Sequence, residues 1–80
     1  MDRQLAKHVV TVGFHSLSLI EGLIPLLQEH CDNAEFQEYL KAIGAVTAEM
    51  GLEIFNKIYR EYPDLKAEVE ATIQRYGKFI

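Results

Sequence analysis

The 80-residue chain has room for one domain, residues 1–80, and its single cysteine, Cys31, excludes an internal disulfide. With 49% hydrophobic and 25% charged residues the composition is globular rather than disordered, and a lone thiol fits a reducing, cytoplasmic setting better than secretion. The net charge of −4 arises in the first half, where residues 1–40 carry two basic against six acidic side chains; an acidic surface of this kind repels phosphate backbones and disfavours nucleic acid as a partner.

The first predicted element covers about residues 3–30. From Val9 to Leu27 it carries one formal charge, Glu21. Its polar members, Gln4, His8, Thr11, His15, Ser18, Gly22, Pro25 and Glu29, follow each other at steps of three and four, which gathers them on one narrow stripe. The rest of the circumference is apolar, and such a helix needs cover from more than one side. Pro25 removes the hydrogen bond to residue 21, so a kink or a break near Gly22 is expected. Arg3 and Lys7 before an apolar run imitate a secretory leader, but no small-x-small cleavage site follows. His15, Ser16, Ser18 and Glu21 make a membrane span costly, and no membrane role is expected.

The turn at 30–33 offers Asp32 or Asn33 as a cap, with Glu35 in the favourable first turn of the next helix. That second helix is predicted from about Ala34 to Tyr62, with Phe36, Tyr39, Leu40, Ile43, Val46, Met50, Ile54, Phe55, Ile58 and Tyr59 in helical period. Unbroken, it would be roughly 43 Å long, against some 30 Å for a compact globule of this size. It therefore either breaks near Gly44 or Gly51 or projects from the subunit. Tyr62 stops it before Pro63; Asp64 is a candidate cap for a third helix bearing Leu65, Val69, Ile73, Tyr76 and Ile80, and Gly77 ends that helix before an apolar tail expected to dock.

These elements predict an all-α fold: a bundle of three helices, completed by dimerisation. The expected self-contact uses Val9, Val12, Leu17, Ile20, Leu23 and Leu27 of the first helix. The small-residue series Gly44, Ala48 and Gly51 of the second offers a close crossing seam. The leading expectation is a non-enzymatic interaction module, a homodimeric adaptor or regulator. Its acidic segment, with Glu29, Asp32, Glu35 and Glu38, faces a basic protein partner. The alternative is a ligand- or metal-binding, even enzymatic, bundle using His15, Glu21 and the tyrosines Tyr39, Tyr59, Tyr62 and Tyr76 around an interhelical pocket. No pair at metal-ligand spacing occurs in the first helix, and His30 with Cys31 forms one isolated cluster, so no cofactor or metal is assigned.

Overall fold

A computed structural model describes residues 1–79. Its elements are α1 (Arg3–Glu21), α2 (Leu23–His30), α3 (Asn33–Glu49), a π-helical segment (Met50–Phe55), α4 (Asn56–Glu61) and α5 (Pro63–Tyr76), with no strand among the described residues. They form three rods. Gly22 keeps right-handed helical angles, and its N–H still reaches the Ser18 carbonyl at 3.0 Å. The expected kink at Pro25 is therefore only a slight bend, and α1 and α2 run on as one rod, Arg3–His30. The second rod, 33–61, does not break at glycine either. It widens instead into the π turn that contains Gly51.

Caps explain most of the boundaries. The Leu5 N–H donates to the Asp2 carboxylate at 2.8 Å, and the Glu35 N–H donates to Asp32 at the same distance. Tyr62 leaves the helical region before Pro63, which occupies the first position of α5, where its missing N–H costs nothing. Asp64 does not cap. Its carboxylate turns away from the helix end and accepts from Arg3 Nε at 2.8 Å. Gly77 closes α5 with φ of 77°, a left-handed angle that suits glycine, and Phe79 folds back onto the core. Ile80 lies outside the described residues.

α5 runs parallel to α1: Arg3 bonds Asp64 and Glu68, Lys7 bonds Glu68, and Phe14 meets Phe79 edge-on at 5.7 Å. The second rod runs antiparallel to both. Between them lie Ala6, Val10, Leu17, Phe55, Ile58, Leu65 and Val69, with Phe14 stacked on Phe55 at 4.7 Å. This core occupies one end of the molecule. α5 has 14 residues, about 21 Å of helix, whereas the first rod has 28, about 42 Å. Beyond the reach of α5 the fold is a two-helix hairpin: α2 buries no residue, and α3 buries only Phe36.

Candidate interaction surface

The half-covered bundle leaves apolar area in water. The described chain exposes 5853 Å², against about 4,900 Å² for a compact monomer of 9.2 kDa. Its radius of gyration is 14.7 Å, where a compact 80-residue domain has about 12 Å. Only 17% of the most apolar stretch of the first rod is buried.

The exposed side chains of that rod are ordered rather than scattered. Leu5, Val12, Leu19 and Leu26 follow at seven-residue intervals and are 48%, 48%, 67% and 54% exposed; Leu23 stands beside them. A seven-residue apolar repeat is the mark of a helix that seats another helix along one seam. Beside Val12 a groove of about 310 Å³ runs between the rods, lined by His8, Val9, Gly13, Ser16, Met50 and Ile54. Met50 and Ile54 are shared with a second apolar groove, bordered by Ala45 and Val46, so the uncovered face is two helices wide.

The residues expected at an interface divide into three groups. Val12 and Leu23 are exposed on this face, and Val9, Ile20 and Leu27 are half-buried. Leu17 is turned inward and belongs to the core, so it has no surface to offer a partner. Gly44 and Ala48 are exposed and Gly51 is half-buried. A Cβ on Gly44 or Gly51 would have no atom within 4 Å, so neither glycine serves a close crossing within the chain. The close crossing is at Gly13, against Phe55. Sequence reasoning missed that contact. It also missed Leu5, Leu19 and Leu26, whose spacing of seven was the available signal.

The acidic side chains cluster at the hairpin tip. Glu29, Asp32, Glu35 and Glu38 are all exposed, and none joins an ion pair among the described residues. Cys31 lies partly covered beside them. The adjacent Glu35 carboxylate first, and burial second, raise its thiol pKa above the ordinary value, which opposes thiolate chemistry.

The side chains of the alternative reading are dispersed. His15 and Glu21 are both exposed, and Glu21 borders a groove with Ile24, Leu40, Ile43, Gly44 and Thr47. Tyr62 donates to the Met1 carbonyl at 2.5 Å, and Tyr59 tilts against Phe55. Tyr39 is exposed on α3, and Tyr76 lies beneath Arg75. No group of three or more His, Cys, Asp or Glu converges at metal-binding distance among the described residues. Comparison with protein-family models, curated proteins and solved structures gave no match.

Proposed function

We propose that the chain is a non-enzymatic helical interaction module that works as a homodimer and offers its acidic tip to a basic protein partner. The observation that carries this reading is the uncovered stripe Leu5, Val12, Leu19 and Leu26 on a rod that its own third helix reaches only halfway along. Contiguous exposed apolar surface of this kind marks an interaction site in a soluble protein. The excess of accessible area over a compact monomer, roughly 900 Å², is about what one partner contributes to a stable interface. Four exposed carboxylates at the tip, in no ion pair among the described residues, give a field that attracts a cationic surface and speeds encounter with it.

Sedimentation equilibrium at micromolar concentration tests the first part. The expected result is twice the 9.2 kDa chain mass. A single species at the chain mass overturns the homodimer.

A further inference from the structure

Building on that homodimer, we infer that two copies meet antiparallel along their first rods, pairing Leu5 with the partner's Leu26 and Val12 with the partner's Leu19, about a two-fold axis beside Ser16. The register comes from the stripe itself. Leu5 and Leu26 stand equally far from the midpoint between His15 and Ser16, and so do Val12 and Leu19. An isologous contact requires this self-complementarity: if one residue meets a second, the second must meet the first.

The direction comes from charge. No Lys or Arg lies between Glu21 and Glu38. Parallel packing would set two tips side by side, each carrying Glu29, Asp32, Glu35 and Glu38. Antiparallel packing sends them to opposite ends of a particle whose long extent is 45 Å, several times the screening length of about 8–10 Å. At the axis the structure supplies room. Ser16 is small and lines the groove beside Val12, so the partner's helix can settle between the two rods. A lipid surface is the lesser fit for the same stripe, because the chain is acidic and the polar stripe of the rod carries no Lys or Arg.

Cysteine cross-linking in a Cys31→Ser background reads the arrangement, because a disulfide forms only when the two Cα atoms lie within about 7 Å. Leu5→Cys combined with Leu26→Cys should convert most of the protein to a covalent dimer under mild oxidation, while Leu5→Cys alone should remain uncross-linked. The reduced variants are run in sedimentation equilibrium alongside. A reduced dimer in which Leu5→Cys cross-links by itself overturns the antiparallel direction and leaves the homodimer standing. A reduced dimer that neither variant cross-links places the contact on another face and also overturns the register. A monomeric parent chain fails the homodimer, and this inference with it; if that monomer floats with phosphatidylcholine vesicles, the stripe belongs to a bilayer.

Discussion

The ring of Phe55 lies against the bare backbone of Gly13, so close that a Cβ there would stand 2.5 Å from Cε1 and 2.8 Å from Cζ. Helix propensity favours alanine over glycine by about 1 kcal/mol, but overpacking a filled core costs about 1–3 kcal/mol. The ring cannot swing away freely, because Phe14 stacks on it at an interplanar angle of 8°. Gly13→Ala should therefore lower the unfolding free energy by about 1 kcal/mol, measured by urea denaturation at a fixed protein concentration. An increase would show that the ring yields.

Gly44→Ala should do the opposite. Nothing stands within 4 Å of the added methyl, and the site is regular helix, so stability should rise by up to about 1 kcal/mol. If folding stability rises while association weakens, Gly44 serves a close approach between copies. If both rise or hold, the glycine series is no seam.

Leu19→Lys probes the stripe without touching the core, since Leu19 is 67% exposed. A surface change of this kind shifts monomer stability by no more than about 0.5 kcal/mol. An isologous contact loses both copies of the side chain, each worth about 1.5–3 kcal/mol when buried, so the dimer dissociation constant should rise by roughly a hundredfold or more. Val12→Asp should act in the same direction. Unchanged mass for both variants places the interface elsewhere.

Glu68 receives Lys7 at 2.6 Å and Arg3 at 3.0 Å, and these hydrogen bonds, that of Lys7 first, hold its carboxyl pKa below the ordinary value. A carboxylate lowered in the folded state contributes stability above its unfolded pKa and loses it as pH falls through the lowered folded value. The contribution is thus complete at neutral pH and disappears in acid. Because the side chain is 36% exposed, solvent screening limits the effect to at most about 1 kcal/mol. Glu68→Gln should cost that much at pH 7, less at high salt, and flatten the acid limb of the stability curve. A variant with an unaltered acid limb would show that the pairs contribute nothing.

Cys31 should react slowly for a partly exposed thiol. Glu35 and burial hold its proton on, so alkylation by iodoacetamide at pH 8 should lag behind a free cysteine, and Glu35→Gln should speed it. A rate equal to that of free cysteine, or no change in the variant, contradicts the assignment of Glu35 as the cause.

The local punctuation was legible in the sequence because each signal is short-range. Asp32 caps where its spacing to Glu35 indicates, Pro63 opens α5, and Gly77 closes it in the left-handed region. The two-sided character of the first rod was legible from its polar stripe. What escaped were features set by distant residues. Gly13 is small because of a ring from the second rod, and Asp64 abandons a capping role because Arg3 from the other terminus claims it. The widened turn at Met50–Phe55 has no local motif; only the length of the second rod and Gly51 hinted that something had to give.

That turn governs phase. A π turn takes one more residue than an α turn, so every side chain after it is rotated by about 100° from where an uninterrupted helix would place it. Phe55, the last residue of the turn, and Ile58 beyond it both point into the core with that offset in place. Deleting Gly51 would remove the extra residue and the widening together, giving a more regular rod in which Ile58 keeps its direction and α5 keeps its bed. Unchanged amide exchange across α5 in that variant would be the signature of preserved timing, and faster exchange there would contradict it.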